Sequence, residues 1–229
     1  DCREKRKFLK VEFPLNVRAA AATYEIQFGH LQRPTHFNTS WDLARFEVPA
    51  HKWADLSESG FGVALLNDCK YGYSAHENIL RLSLLRSPTY PDATADEGKH
   101  HFRYALLPHG GTLQEADVVG EAYRFNVPLL LAETEAPQTQ ASFFSVNQPS
   151  VVIDTVKKAE DSEALIVRLY ESHGGRCRVK LSSPSEVKSA ALCNLLENEE
   201  QPLEWKDGGV EFDVTPFKIV TLKLGLFSR

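Results

Sequence analysis

Large apolar and polar residues alternate along most of this chain, and a period of two limits the fold class before any single residue is weighed. From Phe8 the run FLKVEFPLNV sets Leu9, Val11, Phe13 and Leu15 on one side, with Lys10, Glu12 and Asn16 among the others. Such alternation marks a strand with one buried face. Residues 23–28 repeat it, after four alanines at 19–22 that read as a connection. Residues 33–40 interrupt it with Pro34, His36 and small polar side chains, as a loop does. Residues 44–53 resume strand period, with Phe46, Val48 and Ala50 on one face and Arg45 and Glu47 side by side on the other. Residues 60–69 form an apolar strand ending in a polar corner at Asn67 and Asp68, with Tyr71, Gly72 and Tyr73 as the turn beyond. Two more strands, 79–85 and 102–107, flank a loop punctuated by Pro and Gly.

One segment carries a helical period instead. Thr112 precedes Glu115 by three residues, and apolar side chains fall at 113, 116, 119, 122 and 123. This predicts one short helix over 113–125, capped by Thr112. Residues 132–141 (AETEAPQTQA) have no large apolar side chain and contain Pro137, the composition of a linker. Seven short strands follow, at 143–146, 151–156, 164–170, 176–181, 187–192, 210–214 and 217–224, parted by turns at 173–175, 182–185 and 206–209. That spacing predicts a small β-sandwich. A chain of 229 residues can bury two cores, and the expected domains are 1–135 and 136–229.

The net charge of −5 is spread without a basic stripe, which disfavours nucleic acid as a partner. The cluster REKRKFLK at 3–10 reads as the solvated start of a strand. There is no apolar run of about 18 residues for a membrane helix and no secretory leader. The four cysteines show no C-x-x-C pair and no histidine at ligand spacing, so free thiols in the cytoplasm are expected and a structural zinc site is not. Methionine is absent even at position 1, which predicts a processed or truncated start and a longer parent protein.

The stretch 29–73 is the chemically dense part, holding two Trp, five other aromatics and three His among Arg33, Arg45, Asp42, Glu47, Asp55 and Asp68. Four carboxylates there have the residue type for glycoside hydrolysis, which uses two, but β-rich sequence fixes no separation between them. His36, His51, His101 and His109 read as structural histidines. His101 and His109, eight residues apart on a strand, would stand roughly 27 Å apart, too far to share an ion. Asp92, Thr94 and Asp96 imitate the start of a calcium loop, but Glu97 stands where glycine is needed and Arg103 where the bidentate Glu belongs. Asn38-Thr39-Ser40 is a formal glycosylation acceptor. Trp41, Trp53, Tyr71 and Tyr73 offer rings for a sugar face, against the alternative that the tryptophans are packing residues.

At this stretch the sequence resembles a known family. RPTHFNTSWDLARFEVPAHKWADLSE, then GFGVALLNDCKYGY, LSLLRSP, PDATAD and FRYALLPH, is similar to the C-terminal half of the family 38 glycoside hydrolases, the α-mannosidases, and in particular their cytosolic branch. The likeness runs from the start to about residue 131 and is looser over 141–229. It implies an all-β chain, a mutarotase-like super-sandwich followed by a smaller sandwich. It also implies a parent enzyme that is a retaining exo-mannosidase with one zinc ion, an Asp nucleophile and an acid/base carboxylate. In the family those groups lie on an upstream barrel followed by a helical bundle, neither of which is matched, so no catalytic residue and no zinc ligand is assigned to this chain. The matched part is expected to help wall the active site. In relatives a basic residue of this region approaches the substrate. Lys70 or Arg45 is its counterpart by this resemblance, although the family often has Arg where Lys70 stands, and Lys cannot make the bidentate contact. Asp68, Trp41 and Tyr71 complete the substrate-facing set. The expected partners are mannose-containing oligosaccharides, the upstream barrel and helical domains, and further copies in a homo-oligomer. Two other readings stay open: a carbohydrate-binding module working through Trp41, Trp53 or Tyr73, and an assembly domain that docks the upstream barrel.

Overall fold

The computed structural model describes residues 3–133 and 140–227. The chain divides into two compact units, Asp1–Leu130 and Leu131–Arg229. In the first, the elements run β1 (Leu9–Pro14), β2 (Ala21–Ile26), β3 (Gly29–Pro34), α1 (Ser40–Ala44), β4 (Val48–Pro49), β5 (Trp53–Glu58), β6 (Phe61–Asn67), β7 (Gly72–His76), β8 (Ile79–Leu85), β9 (Tyr104–Gly110) and α2 (Val118–Asn126). They build two antiparallel sheets, ordered β1-β8-β7-β4 and β3-β2-β5-β6-β9. Period two decides which side chains meet between them. Tyr24, Ala54, Leu56, Val63 and Leu65 from one sheet close on Tyr73, Leu80 and Leu82 from the other to form the core. Trp53, Ala64 and Leu66 point to the opposite face of the five-stranded sheet and are also buried. There α2 lies over β5 and β6 with Val118, Val119 and Ala122 turned inward.

The second unit contains β10 (Ser145–Val146), β11 (Val151–Lys158), β12 (Leu165–Glu171), β13 (Cys177–Ser182), β14 (Val187–Cys193), β15 (Glu199–Leu203), β16 (Trp205–Lys206), β17 (Gly209–Val214) and β18 (Ile219–Leu226). Its sheets run β10-β13-β17-β16 and β11-β12-β18-β14-β15. Val167, Leu169, Leu222 and Leu224 face Val179, Leu181, Val210 and Phe212 in its core. The all-β class expected from sequence is what the chain adopts.

Several local expectations are corrected. Residues 44–53 are not one strand. Thr39 caps α1, its hydroxyl accepting from the Asp42 N–H at 3.1 Å while Asp42 accepts from the Thr39 N–H at 3.1 Å, and this capping box leaves only β4 as strand before β5. Among the described residues there are thus two short helices rather than one. The Thr112–Glu115 box also forms, with the Thr112 N–H 2.8 Å from Glu115 Oε2 and the Glu115 N–H 3.2 Å from Thr112 Oγ1. Its turn stops when Asp117 takes φ 50°, and Asp117 then caps the helix proper by accepting from Gly120 at 3.1 Å, so α2 begins at Val118.

Strand β2 starts inside the alanine run, at Ala21, and Gly72 and Tyr73 open β7 instead of turning. The Gly29–Pro34 segment, which has no clear alternation, is strand β3 because it pairs along all of β2. A bulge between Leu9 and Lys10 lifts Leu9 out of the buried face. In the second unit, β15 and β16 add to the seven expected strands. Pro202 is tolerated because β15 is an edge strand, and Asp207 and Gly208, at φ 49° and 70°, make the tight hairpin from β16 to β17. The expected linker falls largely, at 134–139, outside the described residues.

Candidate functional site

Strand β6 ends at Asn67 and β7 begins at Gly72, so residues 68–71 form the corner between the two sheets. Asn67 shapes it from within. It is buried, and its amide oxygen accepts from the backbone N–H of Cys69 at 3.0 Å and of Lys70 at 2.5 Å. Its amide nitrogen donates to the His51 carbonyl at 2.9 Å and to the Tyr73 phenol, and the Tyr73 hydroxyl donates to that same carbonyl at 3.2 Å. An Asn holding N–H groups two and three residues ahead is a self-supporting turn, and it leaves Cys69 and Tyr71 exposed and Asp68 and Lys70 half-buried.

Three expected residues stand together there. Asp68 accepts from Arg103 Nε at 2.8 Å. Burial pushes its carboxyl up, but the Cys69 thiol and Arg103 outweigh that and hold it below the usual carboxylate range. Burial and Asp68 in turn push the Cys69 thiol up. The Lys70 ammonium lies 4.7 Å from the centre of the Phe102 ring, a cation–π seat. Tyr71 is 61% exposed and meets His51 edge-on at 5.5 Å. Behind them Lys52 pairs with the buried Glu25 at 2.7 Å and its backbone N–H donates to the same carboxylate at 2.6 Å. Burial raises the Glu25 carboxyl against the pull of Lys52. His51, Lys52, Asn126 and the corner enclose about 90 Å³. Sugar-sized sites need roughly 300 Å³ or more, so the corner is one wall rather than a complete pocket.

The other two candidates lie elsewhere. Trp41, on α1, is 79% exposed. Arg45, at the helix's C-cap, donates to Asp42 Oδ1 at 2.6 Å. It is not beside a free Glu47, which instead pairs with Lys10 at 3.1 Å. Hydrogen bonds from Thr39, followed by Arg45, hold the Asp42 carboxyl low. Asp55 is buried against His109 at 2.8 Å and takes the Ser57 hydroxyl on its other oxygen. Each of the four carboxylates therefore has its own partner: Arg45 for Asp42, Lys10 for Glu47, His109 for Asp55 and Arg103 for Asp68. Trp53 and Tyr73 are fully buried and are packing residues, which removes them as sugar-stacking rings. Asp92 and Asp96 are occupied by the backbone N–H groups of Thr94, and of Arg86 and Ser87.

Sequence reasoning placed Asn67 at this corner but passed over Arg103, His51 and Asn126 as parts of it. Only Asn67 carried a signal, an Asn-Asp pair at a strand end. The other three arrive from distant segments. Among the described residues no three His, Cys, Asp or Glu side chains converge as metal ligands, and no helix is long and apolar enough to cross a membrane.

Two sandwiches, with a polar and aromatic corner on the first, make this an all-β region. The sequence pattern of the glycosyl hydrolases family 38 C-terminal domain matches residues 1–94, and that of the family 38 C-terminal beta sandwich domain matches residues 150–222. Together they take in more than half of the chain, which belongs to the C-terminal region of glycosyl hydrolase family 38. It is 56% identical over 97% of its length to alpha-mannosidase 2C1 of Homo sapiens and 47% identical over 96% to alpha-mannosidase G of Dictyostelium discoideum. It spans 22% and 21% of those proteins. The fold is shared with the crystal structure of an alpha-mannosidase from Enterococcus faecalis, at a TM-score of 0.76 and 18% identity, covering 94% of this chain and 25% of that one.

Proposed function

We propose that this chain is the C-terminal, non-catalytic part of a zinc-dependent retaining α-mannosidase that removes terminal α-linked mannose from oligomannosides. One observation carries the reading: relatives named alpha-mannosidase align along nearly the whole chain, while the chain spans about a fifth of their length. The reaction's nucleophile, acid/base and metal ligands are then sought upstream, in a barrel and helical region. The residues described here do not fit a zinc ion, so no step runs through a metal on this chain.

What the chain contributes is a wall. Asn67 stiffens the corner; Lys70 offers an ammonium donor, Asp68 an acceptor kept ionised, and Tyr71 an exposed ring for the apolar face of a pyranose. Arg45 and Trp41 on α1 form a second, separate set. The free thiols of Cys69, Cys177 and Cys193 accord with the cytoplasm, and we place the parent there as a homo-oligomer.

The test is hydrolysis of a chromogenic α-mannoside by the 229-residue chain beside the full-length protein, with and without added zinc. Turnover by the full-length protein alone is expected; turnover by the chain itself overturns the assignment. The exposure of Trp41 and Tyr71 favours a second reading, sugar binding by the chain alone, which a mannoside-dependent change in tryptophan emission would reveal. The exposure of Leu43 and Phe46 beside Trp41 favours a third, docking of an upstream domain on α1. That reading requires an emission unchanged by sugar but shifted to the blue in the full-length protein.

A further inference from the structure

The corner does not stand on its own strands alone. Tyr104 pairs with Asn67 in the ladder of β9 and β6, which brings the preceding residue, Arg103, alongside Asp68. Its guanidinium then bridges two acceptors, Asp68 Oδ2 from Nε at 2.8 Å and the Phe125 carbonyl from Nη2 at 2.9 Å, with the Phe125 ring 5.0 Å from the guanidinium carbon. Phe125 belongs to the last turn of α2, whose carbonyls have no partner within the helix and carry partial negative charge. On the other side of the corner, Asn126 donates to the Asn67 carbonyl at 3.0 Å and, from the same nitrogen, to the Ala122 carbonyl at 2.9 Å. Lys52 adds a third tie, its ammonium 4.4 Å from the Tyr123 ring. The carboxyl end of one helix thus grips the corner at both Asn67 and Asp68.

We infer that Arg103 and Asn126 are positioning residues that set where Lys70, Asp68 and Tyr71 meet the mannoside, with α2 as the rigid reference. This rests on the reading of the corner as a substrate wall. A planar guanidinium can satisfy a carboxylate and a carbonyl together, which a lysine ammonium on its flexible stem cannot reproduce. Small displacements of a positioning group are felt strongly by bound substrate.

The experiment uses the full-length enzyme with Arg103→Ala, Arg103→Lys, Asn126→Ala, Lys70→Ala and Tyr71→Ala, and measures KM and kcat separately together with bound zinc and the melting midpoint. Loss of one such hydrogen bond is expected to raise KM for a chromogenic mannoside about tenfold in Arg103→Ala and somewhat less in Asn126→Ala. In both, kcat changes far less and zinc content is kept. Arg103→Lys should recover part of the loss, and it replaces Arg103→Ala in the test if that variant does not fold. If Lys70→Ala and Tyr71→Ala raise KM while the Arg103 and Asn126 variants do not, or lower only kcat, the positioning role is wrong. If none of the variants moves KM, the corner is no substrate wall and the underlying reading falls with it.

Discussion

The side-chain amide of Asn67 donates to the phenol of Tyr73, and both groups donate to the carbonyl of His51. A strand end, a strand start and a distant loop are thereby joined by two buried side chains. Asn67→Ala removes every hydrogen bond of its side chain and leaves the N–H groups of Cys69 and Lys70 without their acceptor. We expect a loss of about 2 to 4 kcal/mol, by the cost of buried hydrogen bonds and orphaned partners. Urea unfolding followed by circular dichroism measures it, and a change under about 0.5 kcal/mol, the range of ordinary surface substitutions, would show that the corner holds itself.

Gly62 faces Ser57 and His109, the two groups that flank the buried carboxylate of Asp55. A Cβ there would stand 2.7 Å from His109 Cε1. Gly62→Ala should therefore break the Asp55–His109 contact and cost about 1 to 3 kcal/mol, the usual penalty of overpacking. Gly110→Ala is the control, since nothing lies within 4 Å of its Cβ position. Equal midpoints for the two variants in thermal unfolding would contradict this account.

Tyr24 is sealed in the first core, and burial, only partly opposed by Arg33, pushes its phenol up to about 12. An unfolded tyrosine ionises near 10. Above that pH the unfolded chain has released a proton the folded chain still holds, so stability falls as pH rises. The contribution is intact below about pH 10 and is lost by about pH 12, amounting to about 2 to 3 kcal/mol. Absorbance of tyrosinate should show Tyr24, and Tyr73 which burial also raises, ionising only with unfolding. Tyr24→Phe should delay the alkaline transition.

Leu222 of β18 is fully buried between the two sheets of the second unit. Leu222→Ala is expected to destabilise that unit by about 2 to 5 kcal/mol, from lost transfer energy and the residual cavity. Hydrogen exchange at the amides of β12 and β18 should accelerate accordingly. Unchanged protection would mean that the site collapses fully around the smaller side chain.

The sequence by itself determined the elements whose signal is local. The alternation at Ile79–Leu85 marks β8 because one face of that strand is core and the other is not. The HGG, SSPS and KDGG turns part the strands of the second sandwich for equally local reasons. The quoted blocks around Trp41 and Asp68 likewise sufficed for the family. Tertiary structure decided what depends on partners far along the chain. β3 is a strand through pairing with β2, and α1 displaced an expected strand when the Thr39–Asp42 box closed. Trp41 and Trp53 look alike in sequence, yet one is open to solvent and the other lies in the sheet's buried face. The same holds for the corner: Asp68 and Lys70 are legible as residue types, but Arg103 and Asn126 reach them only through the β6–β9 ladder and the end of α2. Hydrogen bonds across such separations leave no period in the sequence, because either partner alone is an ordinary polar residue.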